Sequence, residues 1–225
     1  MKQVLSMLLA LVLCLSLCAC GKDSETEPEL PVGETAAVPE EEAPVNPFAD
    51  IAVGDEVSFG SYYRGSESDT QPIAWYVLDV QDGKALLLSR YVLEPKKNES
   101  VEDGWFDSMP SYMNMLANRM FTDEEKAQIL LEEIDGQTST SYLFLLNAEE
   151  VDAYMPEKSN KLRHATPTGY AIDEGVKVHD TTYCNWMLRD GCWVGGQMGN
   201  KGKIVNTTKV KYEYGIRPAM WVSIP

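Results

Sequence analysis

Two successive N-terminal segments are unsuited to a globular core, and together they limit the part of the chain that can fold to its last 178 residues. Residues 1–20 read MKQVLSMLLALVLCLSLCAC: one positive charge at Lys2, then an apolar run from Val4 to Ala19 broken only by two serines. That is the layout of a secretory leader, and Gly21-Lys22-Asp23 follows it directly. From Lys22 to Pro47 the chain carries eight acidic residues and five prolines with no aromatic. Such a segment buries too little apolar surface to offset its chain entropy, and charge repulsion and proline keep it extended.

The leader ends in Leu17-Cys18-Ala19-Cys20-Gly21, which resembles the lipobox of bacterial lipoproteins. The resemblance implies cleavage before Cys20, diacylglycerol on the Cys20 thiol, and further acylation with chains such as palmitate. Two or more chains hold a protein on a bilayer where one does not. The expected organisation is a lipoprotein signal peptide over 1–19, an acidic tether over 20–47 and one globular domain over 48–225. The expected location is the extracytoplasmic face of the cell membrane.

Charge narrows the partners. The chain has 19 Lys+Arg against 35 Asp+Glu, a net charge of -16, and the domain alone keeps 17 basic against 27 acidic residues. Nucleic acid is excluded as a partner, because a polyanion binder needs clustered basic residues to displace counterions.

Within the domain the first signal is a hairpin. Ile73 to Val80 and Lys84 to Tyr91 are β-rich runs around Gln81-Asp82-Gly83, and Asp-Gly supplies the positive φ of a primed turn. Gly54 to Gly60 alternates like an edge strand, with a loop from Arg64 to Gln71. Ser108-Met109-Pro110 is expected to open a helix with a core stripe of Tyr112, Met115, Leu116 and Met120. Thr122 to Glu125 is a capping box expected to start a helix running through Ile129 to Leu131. A strand is expected over Tyr142 to Leu146, then a helix capped by Asn147 and ending by Pro156. Tyr214 to Ile224 reads as a closing strand. Strands, short helices and strands again, with no βαβ alternation, define an α+β fold.

Eight segments in this order resemble the DUF6273 type of bacterial domain, found in surface proteins and lipoproteins of Firmicutes. They are Val53-Gly54-Asp55-x-Val57-x-Phe59-Gly60-x-Tyr62, Pro72-Ile73-x-Trp75-x-Val77-Leu78-Asp79, Ala85 to Ser89, Phe121-Thr122-x-x-Glu125, Leu143 to Leu146, Pro167-Thr168-x-Tyr170-Ala171, Trp186-x-Leu188-Arg189, and Gly215-x-Arg217-Pro218-Ala219-x-Trp221. This chain has Arg189-Asp190-Gly191 where Arg-Ser-Pro is usual. The family in turn looks like a relative of the C-type-lectin-like fold, which also hosts formylglycine-generating enzymes and many surface binding modules. A fold of that breadth does not carry an activity with it.

Cys184 and Cys192 are the only cysteines after the leader. In an exported chain they are a disulfide candidate, with free buried thiols or a redox or metal pair as alternatives. Formylglycine-generating enzymes use two late cysteines and copper, but neither the spacing nor the neighbours here reproduce that pattern. His164 and His179 match no zinc spacing, and no EF-hand or sugar-type calcium motif occurs, so no metal and no cofactor is assigned. Neither a G-x-S-x-G elbow nor a P-loop is present, and Glu132-Glu133 and Glu149-Glu150 read as solvated helix faces, so no catalytic residue is assigned. The remaining cue is aromatic: Trp105, Tyr183, Trp193 and Tyr212 lie in loop-like or Gly-rich sequence, where rings can stack on a ligand. For Trp193, core and ligand-facing readings are even; Trp75, Trp221 and Arg217 read as structural. The expected function is a non-enzymatic binding module for glycan, cell-wall polymer or protein. An enzyme using Cys184 and Cys192, or a structural envelope component, is the alternative.

Overall fold

Strands β1 (Glu56–Tyr63), β2 (Thr70–Gln81) and β3 (Lys84–Ser89) form an antiparallel meander in the computed structural model. The β2–β3 turn is the Asp-Gly pair, with φ of 48° at Asp82 and 74° at Gly83, the conformation that a two-residue primed turn demands. The structure describes residues 46–96, 105–133, 140–158, 160–179, 182–196, 198–206 and 214–225. Cys20, with the leader and nearly all of the tether, lies outside these residues, and so does Tyr212.

After the meander come β4 (Tyr91–Val92), β5 (Glu94–Lys96), helix α1 (Trp105–Met120), the single-turn α2 (Asp123–Lys126), β6 (Glu132–Glu133), β7 (Thr140–Ser141) and helix α3 (Ala148–Tyr154). The last third holds β8 (Thr166–Pro167), the short helix α4 (Gly169–Asp173) and β9 (Val178–His179). Then follow β10 (Tyr183–Cys184), β11 (Trp186–Met187), β12 (Cys192–Val194), β13 (Ile204–Asn206), β14 (Tyr214–Ile216) and β15 (Ala219–Ser223). Two sheets carry the architecture, one ordered β1-β2-β3-β15 and one ordered β13-β12-β11-β14-β5. The mixture is α+β, as the element pattern requires.

The four-stranded sheet is covered on both faces. Trp75, Val77, Ala85 and Leu87 point into one apolar cluster with α1, and Leu78, Leu86 and Leu88 into a second with α3. Burial on both sides explains why β3 is a continuous apolar run instead of an alternating one. Packing at the start of the domain involves Phe48, fully buried with its ring centroid 4.9 Å from that of Phe59.

Several sequence expectations change in the fold. Helix α1 starts at Trp105, so Pro110 lies inside it; the missing N–H costs a bond that burial of Met109 and Pro110 offsets. Its buried stripe is Met109, Met113, Leu116 and Met120, while Met115 is 50% exposed. The capping box at Thr122 is present, but the helix it starts ends at Lys126. Ile129 instead bridges Val222 and Leu130 N–H donates to Trp221 O, so this segment seals the open edge of β15. Residues 142–146 make only an isolated bridge, Phe144 to Ala219. Glu132-Glu133 is a strand, not a helix face. The closing strand is split in two: β14 lies in the five-stranded sheet and β15 in the four-stranded one, with Arg217-Pro218 between them.

Candidate functional site

Among the described side chains, Trp193 and Tyr183, two of those singled out in the sequence, have different neighbours. Trp193 is 7% exposed, belongs to the core and stacks on Tyr214 with centroids 5.3 Å apart and rings 20° from parallel. Of its two sequence readings the core one holds, because Val194 and Trp193 pair with Trp186 and Met187 across the β11–β12 hairpin and are enclosed with them. Tyr183 is half-buried on β10, its ring 5.3 Å from His164 and under the Lys201 ammonium at 4.3 Å. Trp105 is the first residue of α1.

The cysteine pair is not a disulfide in the structure: both thiols are free. Leu188 N–H donates to Cys192 O, so the hairpin sets Cys192 opposite Leu188. Four residues of extended chain then separate it from Cys184, which places the pair on the order of 10 Å apart, beyond disulfide reach. Cys184 is buried and its Sγ donates to Ala165 O at 3.5 Å; burial pushes its thiol up to about 12. Burial and the neighbouring Asp190 also raise Cys192. Neither position favours a thiolate at neutral pH, and this arrangement does not fit a two-cysteine copper centre.

The Arg189-Asp190-Gly191 turn has its own logic. Asp190 accepts from the Ala148 N–H at 2.9 Å and from the Cys192 N–H at 3.2 Å, tying the hairpin to the start of α3. Gly191 has φ of 81°, which favours glycine over any other residue. Arg189 pairs with Glu150 at 2.5 Å and donates to Leu145 O at 2.8 Å. Arg217 is fully buried, donating to Ser89 O at 2.8 Å and Leu162 O at 2.5 Å, with its guanidinium 4.9 Å over the Trp186 ring. It fixes the point where the chain changes sheets, and burial brings it down to about 10.

The polar constellation with the most unusual chemistry lies elsewhere, where β1, β4, β5, α1 and α4 meet. Glu94, 7% exposed, accepts hydrogen bonds from the Tyr62 and Tyr112 hydroxyls. Arg119 donates to both of its carboxylate oxygens at 3.2 Å. Burial, and then the Glu94 charge, raise both tyrosines far above the ordinary phenol range. The ring of Tyr62 packs against those of Tyr63, at 4.7 Å, and Tyr170, at 6.0 Å.

Above this buried carboxylate is a shallow cleft lined by Tyr62, Tyr63, Arg64, Gln71, Tyr91 and Thr168. Its walls are fixed by backbone bonds. Arg64 N–H donates to Asp69 O at 2.8 Å, closing the β1–β2 loop, and Tyr170 N–H donates to Arg64 O at 3.1 Å. Thr168 caps α4, accepting from Ala171 N–H at 3.0 Å and donating to Leu93 O at 3.3 Å. The Arg64 guanidinium lies 3.7 Å over the Tyr91 ring. Sequence reasoning passed over these residues. The one available signal was Tyr62-Tyr63-Arg64 at a strand end together with Glu94 inside the apolar run Val92-Leu93-Glu94.

The domain is thus a two-sheet α+β fold that carries a tyrosine-lined surface cleft. Among the described residues no group of His, Cys, Asp and Glu is placed to hold a metal ion, and no helix is long and apolar enough to cross a membrane. Residues 82–224 match the family described as "Domain of unknown function (DUF6273)", and the chain belongs to that family. No curated protein and no solved structure matches it.

Proposed function

We propose that this protein is a lipid-anchored, extracytoplasmic binding module for glycan or cell-wall polymer, with the Tyr62–Tyr63–Tyr91 cleft as its ligand seat. The observation that carries the reading is the cleft itself. Aromatic rings, one cationic side chain and tyrosine hydroxyls are presented together on a frame of backbone bonds. The free, separated cysteines with raised thiols favour this over the enzyme alternative. Kinship with the C-type-lectin-like fold belongs to the same proposal and rests on the Trp186-x-Leu188-Arg189 hairpin and the closing Gly215-x-Arg217-Pro218-Ala219 segment.

Two experiments test it. Co-sedimentation of the full-length chain with isolated bacterial cell-wall sacculi should carry the protein into the pellet, and the Tyr63→Ala/Tyr91→Ala double variant should stay in the supernatant while still unfolding in a cooperative thermal transition at a lower temperature. Equal pelleting of the two proteins would remove the cleft from the function, and failure of the unaltered protein to pellet, with retention on an immobilised protein partner instead, would replace glycan by protein as the ligand class. Metabolic labelling with a fatty-acid analogue should mark the chain and place it in the membrane fraction. Cys20→Ser should lose both, and persistence of the label would refute the anchor.

A further inference from the structure

We infer that the cleft is a subsite for a sugar ring bearing a carboxylate, with Arg64 as the group that recognises the acid; this rests on the glycan-binding reading above. The chain has six arginines. Four of them pair with carboxylates: Arg90 with Glu56, Arg119 with Glu94, Arg163 with Asp152 and Arg189 with Glu150. Arg217 is held by backbone carbonyls. Arg64 alone, among the described residues, has neither a carboxylate nor a carbonyl on its guanidinium, in a protein where acids outnumber bases 35 to 19.

The β1–β2 loop holds two acids, Glu67 and Asp69, and neither pairs with Arg64 among the described residues. Asp69 accepts from Gly65 N–H at 2.9 Å and from Gln71 Nε2 at 2.8 Å. Stacking on Tyr91 holds the guanidinium plane against a ring and leaves its N–H edge free, the geometry that takes a carboxylate through two parallel hydrogen bonds. Beside it, the Tyr63 and Tyr91 hydroxyls have no hydrogen-bond partner among the described residues and can bond to the hydroxyl groups of a sugar, while their ring faces are taken by Tyr62, Tyr170 and the two arginines Arg64 and Arg90. The cleft has room for little more than a water molecule, so the ring lies across its mouth and only its carboxylate reaches in. A singly charged carboxylate is favoured over a phosphate because the surrounding domain carries excess negative charge.

The test is calorimetric titration of the full-length chain, in non-ionic detergent at 0.15 M salt, with three probes: an oligogalacturonate hexamer, maltohexaose as a neutral oligosaccharide of equal ring count, and polyglutamate as carboxylates without sugar rings. The oligogalacturonate should bind and the other two should not. Arg64→Gln should weaken its binding by about tenfold or more, the loss expected for a charge-assisted pair, and Arg64→Lys should recover only part of it. The melting temperature should be unchanged in both, since the side chain supports nothing but the Tyr91 ring. Polyglutamate binding as well as the uronate would reduce the effect to charge and overturn the inference. Maltohexaose binding with no effect of Arg64→Gln would also overturn it, leaving a neutral-glycan seat and the broader proposal intact. No binding of any probe, with sacculi still pelleting the protein, would overturn the subsite assignment alone.

Discussion

Trp193 and Tyr62 are both buried aromatic side chains of one core cluster, and the local sequence marks neither as such. Trp193 follows Gly191-Cys192 and precedes a glycine-rich stretch, surroundings that resemble a loop, yet it is enclosed by the stack on Tyr214. Trp193→Ala should therefore cost about 3–5 kcal/mol of stability, the range for deleting a buried aromatic ring, read as a shift in the urea midpoint; a loss below about 1 kcal/mol would return the ring to the surface. Tyr62 and Tyr112 were inconspicuous in sequence but hold the buried Glu94. Because burial and Glu94 raise their folded pKa values above the unfolded phenol value near 10, their stabilisation is complete below that pH. It is lost as pH rises through the folded values. In an alkaline titration followed by phenolate absorbance, two of the 11 tyrosines should stay protonated until the fold is lost. Ionisation of all 11 near pH 10 with the fold intact would contradict the Glu94 bonds.

Local signals set element starts more reliably than element ends. Asn147 is a capping box as well as a capping residue, accepting from Glu150 N–H at 2.8 Å while the Glu150 carboxylate accepts from Asn147 N–H at 2.9 Å. Asn147→Ala should cost about 1 kcal/mol, the usual value of an N-cap, measured by denaturant unfolding. A neutral substitution would show the cap to be replaceable. Thr122 carries the same motif, but its helix lasts one turn. What ends it is not in the local sequence: Gln128 O, Ile129 and Leu130 N–H are taken by the edge of β15, about 90 residues away by number. Tertiary pairing overrides helix propensity there.

The four-stranded sheet is completed by β15. β15 pairs with β3 over five registered positions and supplies Met220 and Val222, both fully buried, to the core. Truncation after Pro218 should abolish cooperative unfolding and expose the apolar face of β3, detectable as loss of the thermal transition and binding of a hydrophobic dye. A retained transition would show the first three strands to be self-sufficient. Such long-range closure also implies that folding waits for β15, since β3 remains a sheet edge until β15 pairs with it.

The division between sequence and tertiary structure follows from the range of the forces involved. The Asp82-Gly83 turn, the caps at Thr122 and Asn147, the edge position of β1 and the α+β class were legible because each rests on backbone conformations or patterns a few residues long. The splitting of the closing strand at Arg217-Pro218, the separation of Cys184 from Cys192 and the meeting of Tyr62, Arg64, Tyr91 and Glu94 were not legible. Each depends on which segments pair across the sheets, and no local pattern encodes that choice. Composition could count the six arginines; only the packed chain shows that five are engaged and that Arg64 faces the cleft.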